Sequence, residues 1–397
     1  MPNPGYADTA ARNSGIDLLR GLAILLVVLH HIGLRMPLKK SALAEVLPTR
    51  LLGALNYNGY ESVFVFFVIS GFLIAGHALR RWGSLGQIDI RAFYARRFAR
   101  IVPCLLALVV LLSALDLLGV QDYVIYHSSQ SLPRAIFAAL GLHLNWYEGM
   151  TGYLPGNWDV LWSLSIEEVF YLGFPLICLL TRRAWLLVPL LVLLALSLPL
   201  THAALEGNEI WQEKAYLPGM AAIAIGVLGA LLAAQQQNRK DGQPPRRWMI
   251  HLLTALGTLG LASVFLVESW LWPILRDSTL LLLSFAVLCL LLACQQREAL
   301  GDTRPLPGFG WLRAWGRLSY EIYLSHMFVV FALVRLFKAA GGDMRLGFLW
   351  YLPALPLCWL LGAAVERWLS VPCERWLRAR WLRTSPARGA LLGAPAE

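Results

Sequence analysis

Charge is scarce in this chain of 397 residues: only 15% of them are Asp, Glu, Lys or Arg, whereas 58% are hydrophobic. Soluble domains average about 25% charged and about 45–50% apolar residues, so the composition argues against a soluble globular enzyme. Disorder is excluded as well, because 16 Trp, 16 Phe and 13 Tyr cannot all remain solvated. The net charge of +10 leaves nucleic acid, anionic lipid and a polyanionic substrate as classes of partner.

Three common sequence signatures are also missing. None of the six cysteines belongs to a Cys-x-x-Cys pair, so the sequence predicts neither a metal site nor a disulfide framework. No internal repeat is visible, which weakens the case for a secondary transporter built from inverted repeats. The polar N-terminal residues lack the pattern of a cleavable signal peptide, so we expect the first apolar segment to be retained.

Apolar windows long enough to cross a bilayer recur along the whole chain. The segment 134–146 is short for a crossing, and counting it as one would turn the basic loops that follow it outward. Without it, 22 of the 34 Lys and Arg residues lie in cytoplasmic segments. The predicted spans are 16–34, 62–79, 101–120, 164–180, 184–200, 215–234, 248–267, 278–294, 318–334 and 347–369.

We therefore predict an all-α integral membrane protein, a bundle of about ten transmembrane helices with both termini cytoplasmic. An outer loop would hold a re-entrant or interfacial helix near 134–146. Residues 1–380 would form one polytopic membrane domain, and 381–397 a mobile basic cytoplasmic tail. Because the positive charge concentrates in cytoplasmic segments, lipid or a phosphate-bearing substrate explains it and nucleic acid is no longer expected.

Ionisable residues inside a span are costly and indicate function. In the first span, Arg20 and His31 are 11 positions apart, which places both on one helix face about 16 Å apart along the axis. The alternative is that Arg20 reaches lipid headgroups while His31 sits at the interface. In the second span, Ser70 precedes Gly71 at mid-membrane, a combination that also suits plain helix packing.

A basic run before the third span carries Arg97 and Arg100 on one helix face, at a proline that we expect to open the span. Arginines so placed bind phosphates bidentately, although they also suit an anchor to anionic lipid. In the fourth span, Ser165 and Glu168 fit a capping box. Glu167 then needs another partner, for which His31 or an arginine is suitable.

One face of the ninth span carries three polar groups, since Ser319, Tyr323 and His326 follow the i, i+4, i+7 spacing. A face of this kind predicts the lining of a cavity. The outer loops also contain aromatic residues that would suit either sugar stacking or the membrane interface. These are Trp146, Tyr147, Trp158 and Trp162.

The five polar segments, in this order, resemble the motifs of acyltransferase family 3, integral membrane proteins that modify bacterial surface carbohydrates and related acceptors. Arg20 and His31 match the family's R-x10-H motif. Two departures are Phe64, where the family commonly has an acidic residue, and Trp376, where it has proline. The resemblance implies about ten spans, and we expect a stand-alone form without an SGNH-type domain. The other matching segments are FFVISGFLI, RRFARIVP, WSLSIEEVFY and SYEIYLSH.

The resulting hypothesis is an O-acyltransferase that moves an acyl group, most simply acetyl, from cytoplasmic acyl-CoA to a hydroxyl of a carbohydrate or glycolipid at the outer face. His31 would be the base, with Glu167 orienting it or pairing with an arginine. No metal and no permanently bound cofactor are expected, and the location would be the bacterial inner membrane. The alternative is a transporter of acyl groups, lipids or glycans. The predicted substrate-binding residues are Arg20, Arg97, Arg100, Ser70, Ser319, Tyr323 and His326.

The sequence leaves four questions open. They are the identity of the acceptor, the length of the acyl chain, direct transfer versus an acyl-histidine intermediate, and the oligomeric state. Both routes of transfer would use the same imidazole, so residue types alone do not separate them.

Overall fold

The computed structural model describes residues 12–237 and 245–382. Within these ranges the chain folds into α-helices joined by turns and short 3₁₀ segments, with no strand. The helices are α1 Ser14–Gly33, α2 Thr49–Tyr57, α3 Gly59–Trp82, α4 Ile90–Leu117, α5 Leu132–Leu140, α6 Leu144–Thr151, α7 Gly156–Asp159, α8 Leu161–Thr181, α9 Ala184–Leu196, α10 Leu198–Ala203, α11 Glu209–Lys214, α12 Tyr216–Gln237, α13 Arg247–Leu275, α14 Thr279–Ala299, α15 Gly310–Arg317, α16 Ser319–Ala339, α17 Tyr351–Val365 and α18 Val371–Leu382.

Nine helical stretches in the described ranges are long and apolar enough to cross a bilayer, which confirms the predicted all-α membrane bundle. The exception among the ten predicted spans is 184–200, where the chain forms the 13-residue α9 followed by the 6-residue α10. The segment near 134–146 falls on α5 and α6, which have only 9 and 8 residues and are too short to cross. Of the predicted tail 381–397, all but the first two residues lie outside the described part of the chain.

Local sequence explains where the first and third spans begin. Asn13 caps α1, because its Oδ1 accepts from the backbone N–H groups of Gly15 and Ile16. Asp89 caps α4 in the same way, so this helix starts at Ile90 and continues through Pro103 for 28 residues. The expectation that Pro103 opens the third span is therefore wrong. At 1.5 Å per residue, α4 is about 42 Å long, so its first turns carry Arg97 and Arg100 beside the membrane interface.

Two glycine contacts bring helix backbones together. A Cβ on Gly71 of α3 would overlap the carbonyl of Ile223 in α12, so only glycine allows this approach. Likewise, Gly316 of α15 packs on the backbone of Asp17, and Gly21 of α1 packs on the carbonyl of Leu312. The first contact supports the packing interpretation of the Ser70–Gly71 motif. The second pair fixes the short helix α15 against the N-terminal part of α1.

The last span is not a regular α-helix throughout. After α17, residues Glu366–Ser370 form one turn of π-helix, and α18 then continues to Leu382. Such widened turns occur often at functional sites because they change the direction of a few side chains. Here, Ser370 at the end of the turn donates a hydrogen bond to the buried carboxylate of Glu321, at 2.8 Å.

Candidate active site

Two imidazoles face each other between α1 and α16. The Nδ1 atom of His31 lies 2.9 Å from the carbonyl oxygen of Val27 and 3.3 Å from Nε2 of His326. The Nδ1 atom of His326 lies 3.0 Å from the carbonyl of Ile322 and 2.8 Å from that of Tyr323. The ring centroids are 4.9 Å apart. The pair thus joins the R-x10-H motif to the polar face of α16.

The hydrogen-bond network assigns the tautomer of both rings. A carbonyl oxygen can only accept, so Nδ1 must carry the proton in His31 and in His326. The single N–H of His31 is then shared between the Val27 carbonyl and Nε2 of His326. Nε2 of His31 consequently holds the lone pair, the arrangement that a general base requires.

Neighbouring groups hold α1 in position around this pair. The Nδ1 atom of His30 lies 3.0 Å from the carbonyl of Asn56, and its ring packs edge-on against that of His31, with 5.3 Å between the centroids. Asn56 is fully buried and its amide donates to the carbonyl of Leu29 and to the hydroxyl of Tyr351. Just after the end of α1, the Arg35 guanidinium donates to the carbonyl of His31 at 3.0 Å.

At the other end of α1, Arg20 points into the bundle. Its Nε and Nη2 atoms lie 3.1 and 2.7 Å from Oγ of Ser319, the first residue of α16. The structure therefore does not show the alternative in which Arg20 reaches lipid headgroups. Arg20 and His31 both contact α16, at Ser319 and His326, so the two predicted polar faces meet along most of their length.

Glu167 belongs to a separate cluster on α3, α4 and α8. Its Oε2 accepts from Ser70 at 3.3 Å and from the hydroxyl of Tyr171 at 3.2 Å, and the two hydroxyls also contact each other. The Arg97 guanidinium lies over the Tyr171 ring, 3.6 Å from its centroid, and Nη2 is 3.6 Å from Glu168. In this structure it is His326, not Glu167, that contacts the His31 imidazole.

The remaining predicted residues occupy distinct positions. Tyr323 shares a hydrogen bond of 2.7 Å with Ser163 of α8, so it ties α16 to that helix. Arg100 lies 3.6 Å from Glu374 of α18 and has 36% of its side chain exposed.

Ser165 does not cap a helix: α8 begins at Leu161, and the Ser165 hydroxyl donates to the Leu161 carbonyl. The predicted capping box is therefore wrong, and Glu168 lies beside Arg97 instead.

A buried ion cluster fixes the loop above the site. Nζ of Lys214 lies 2.9 Å from Glu148 and also contacts Asp159, and Glu148 accepts from the backbone N–H of Leu154 at 3.0 Å. Burial raises the pKa of the Glu148 carboxyl well above its ordinary value, Asp159 adds to the shift, and Lys214 opposes it. These contacts fasten residues 148–159 to α11.

That loop presents two polar groups without partners. In the described part of the chain, neither amide atom of Asn157 nor Nε1 of Trp158 has a hydrogen-bond partner, although both residues are fully buried. Their neighbour Gly156 packs against Met327, the residue after His326. Burial of Trp158, and of Trp162 at 7% exposure, removes them as platforms for sugar stacking, whereas Trp146 is half exposed.

Sequence reasoning missed Ser163, Tyr171, Asn157 and Glu321 as members of this interior. Tyr171 had a signal, since it follows Glu167 by one helical turn and both stand inside the WSLSIEEVFY motif. Glu321 also had one, as a carboxylate within an apolar span. Nothing in the local pattern marks Asn157, because its significance lies in the absence of a partner.

Comparison with known proteins gives the family. The profile of the family described as "Acyltransferase domain" matches residues 13–383. The peptidoglycan O-acetyltransferase OatA of Listeria monocytogenes is 26% identical over 339 residues, 78% of this chain and 48% of the relative. OatA of Staphylococcus aureus strain NCTC 8325, an O-acetyltransferase, is 29% identical over 174 residues, 41% and 24% of the two chains. A protein of Staphylococcus aureus strain COL with O-acetyltransferase in its name is 26% identical over 280 residues. These residues are 67% of this chain and 41% of the relative.

The chain spans less than half the length of these curated relatives. No solved structure matches the chain significantly. The family match nevertheless covers all of the described helices, including both histidines, the Arg20 contact and the Glu167 cluster. This multi-pass membrane protein therefore belongs to the acyltransferase family, the acyltransferase family 3 that its five motifs resemble.

Proposed function

We propose that the protein transfers an acyl group, most simply acetyl, from acyl-CoA on the cytoplasmic side to a hydroxyl of a carbohydrate or glycolipid at the outer face of the bacterial inner membrane. The observation that carries the proposal is the His31–His326 pair, which leaves the lone pair on Nε2 of His31. The O-acetyltransferase names of the relatives support acetyl as the group and a hydroxyl as the acceptor.

The proposed step has a simple proton balance. Nε2 of His31 takes the proton of the acceptor hydroxyl while that oxygen attacks the thioester carbon. The new C–O bond forms, the C–S bond breaks, and the imidazolium returns the proton to the departing thiolate. Nε2 of His326 accepts from Nδ1–H of His31 throughout, which stabilises the imidazolium and keeps the ring oriented. An acyl-histidine route would use the same Nε2 atom as nucleophile.

The oxyanion formed at the thioester carbonyl needs donors. Asn157 and Trp158 supply two buried N–H donors that have no partner among the described residues. They lie on α7, which packs against α16 one residue beyond His326. We assign them to the oxyanion or to the acceptor hydroxyl.

The polar groups below the histidines would bind and position the donor. Arg20 lies about 16 Å from His31 along α1, the scale of an extended pantetheine arm. Arg100 is partly exposed and held only at 3.6 Å by Glu374, so it is suited to contact phosphate. Arg97 already lies against Tyr171 and Glu168, so its part in the proposal is to position the Glu167 cluster. We assign Ser319, which contacts Arg20, to the same donor-binding region, together with Tyr323 and Ser70.

The test uses proteoliposomes with radiolabelled acetyl-CoA outside and a soluble glycan acceptor inside, with wild-type and His31→Ala protein. Labelled covalent product from wild-type protein only is the expected result. Label that accumulates inside without covalent product would favour the transporter alternative. Product from folded His31→Ala protein at the wild-type rate would contradict the assignment of the base.

A further inference from the structure

A cavity of about 590 Å³ opens at the cytoplasmic end of the bundle, outside the polar interior described above. It lies between α15 on one side and the final helices on the other. Three of its lining residues are arginines, with one carboxylate and a small apolar floor. We call it the arginine cavity; its lining is Ala314, Arg317, Leu318, Trp359, Ala363, Glu366, Arg367, Val371 and Arg375.

The three guanidiniums are not neutralised by ion pairs. None of Arg317, Arg367 and Arg375 lies within ion-pair distance of a carboxylate of the described residues. Glu374, the neighbour of Arg375, pairs with arginines outside the cavity, at 3.6 Å and 2.6 Å. Glu321 is occupied by the Ser370 hydroxyl. The cavity therefore keeps an excess of two positive charges.

The π-turn between α17 and α18 forms part of the wall of the arginine cavity. Glu366 and Arg367 belong to the π-turn Glu366–Ser370, which separates α17, the helix of Trp359, from α18, the helix of Arg375. Single π-turns within helices occur frequently at functional sites. The opposite wall, α15, is packed through Gly316 onto α1, so the cavity adjoins the helix that carries Arg20.

We propose that the arginine cavity binds a phosphate ester. Guanidinium groups match phosphate oxygens in geometry as well as in charge, and Trp359 with Leu318 and Val371 would cover the apolar part of such a ligand. Two sources have this chemistry on the cytoplasmic side, the headgroup of an anionic phospholipid and the phosphates of coenzyme A. The second rests on the proposed function, and the first does not.

The test measures binding rather than transfer, with purified full-length protein in nanodiscs. One measurement is the equilibrium affinity for coenzyme A, and the other is the amount of phosphatidylglycerol, against phosphatidylcholine, retained in native mass spectrometry. The test variant is Arg317→Gln with Arg375→Gln. The matched control is Arg91→Gln with Arg304→Gln, which removes two exposed cytoplasmic charges that do not line the cavity.

We expect the test variant to lose at least about tenfold in one measurement while the control remains like wild type, because charge-assisted hydrogen bonds are lost. Loss of coenzyme A affinity assigns the cavity to the donor, and loss of retained phosphatidylglycerol assigns it to lipid. No loss in either, or equal loss in the control, overturns the proposal. If wild-type protein binds no coenzyme A, acyl-CoA is refuted as the donor in the proposed function. The lipid measurement then still tests whether the arginine cavity binds a phosphate ester.

A second variant guards against misfolding of the first. Ala363→Trp keeps all three arginines and fills the cavity floor. We expect it to reduce the same measurement, with an unchanged elution volume in size exclusion. Wild-type binding by this variant would place the ligand elsewhere and overturn the proposal.

Discussion

Nε2 of His326 accepts a hydrogen bond from Nδ1 of His31 across the interface of α1 and α16, with 3.3 Å between the nitrogens. These residues are 295 positions apart in sequence, so the contact exists only when the first and ninth predicted spans pack together. Because of this contact, the proton of His31 lies on Nδ1 and the reactive lone pair on Nε2.

His31→Ala should abolish acyl transfer, with a loss of at least about a hundredfold in kcat, because a positioned base contributes about 10²–10⁴. The measurement is the initial rate of product formation with purified protein. His30→Ala is the matched control, since His30 packs against His31 but hydrogen-bonds to Asn56 rather than to His326. A larger loss from His30→Ala than from His31→Ala would contradict the assignment.

His326→Ala should lower kcat by about tenfold to a hundredfold and leave KM for the donor nearly unchanged, as for other groups that orient a functional imidazole. His326→Asn should recover part of the rate, because its amide oxygen can still accept from the N–H of His31. A purely structural role for His326 would instead lower the amount of folded protein, and the asparagine variant would not restore kcat.

Arg97→Gln and Arg100→Gln should differ. Arg100→Gln should weaken donor binding by about tenfold without changing the thermal midpoint, because its guanidinium is partly exposed. Arg97→Gln should lower stability by about 2 kcal/mol, since it removes the cation over Tyr171 and leaves Glu168 without its cation. The comparison needs one thermal scan and one binding curve for each variant. Identical behaviour of the two variants would contradict the division of roles.

Glu167→Gln and Tyr171→Phe should not be additive in kcat. Tyr171→Phe removes the hydrogen bond between these side chains, and Glu167→Gln weakens it by replacing the charged acceptor with an amide oxygen, so the double variant should be less impaired than the sum predicts, by about 0.5–3 kcal/mol. The four rates of a double-mutant cycle measure this coupling. Additive losses would show that the two side chains act independently of their contact.

Lys214→Met should destabilise the protein by about 3–5 kcal/mol at pH 8, because Glu148 would remain buried without its cation. The pKa of Glu148 is raised by burial, so in this variant the folded state binds more protons than the unfolded state at intermediate pH. The deficit should therefore shrink as the pH falls to about 5.5. Thermal midpoints of wild-type and Lys214→Met protein at both pH values measure this loss of stability, and Lys40→Met, at an exposed lysine, is the control. A loss of stability that grows at low pH would contradict the proposed role of the Glu148 charge.

The number and order of most helices were predictable because their apolar runs and flanking charges are local properties of the sequence, although α4 begins at Ile90, well before its predicted span 101–120. The common face of Arg20 and His31 was predictable from helix periodicity. The partner of His31 was not, because choosing between His326 and Glu167 requires knowing which helix packs against α1. Capping by Asn13 and Asp89 sets the starts of α1 and α4, which differ from the starts of the predicted spans. The division of one span into α9 and α10 and the π-turn at Glu366–Ser370 depend on tertiary packing.

The interlocking of Gly21 and Gly316 has a mechanical consequence. Each residue rests on the backbone of the opposite helix, so α15 has no freedom to slide or roll on α1. Any displacement of α15 must be transmitted to α1 and so to the imidazole eleven residues beyond Arg20. The two positions are therefore closed to every larger side chain, and an alanine at either one would alter the spacing of the site without removing a single polar group.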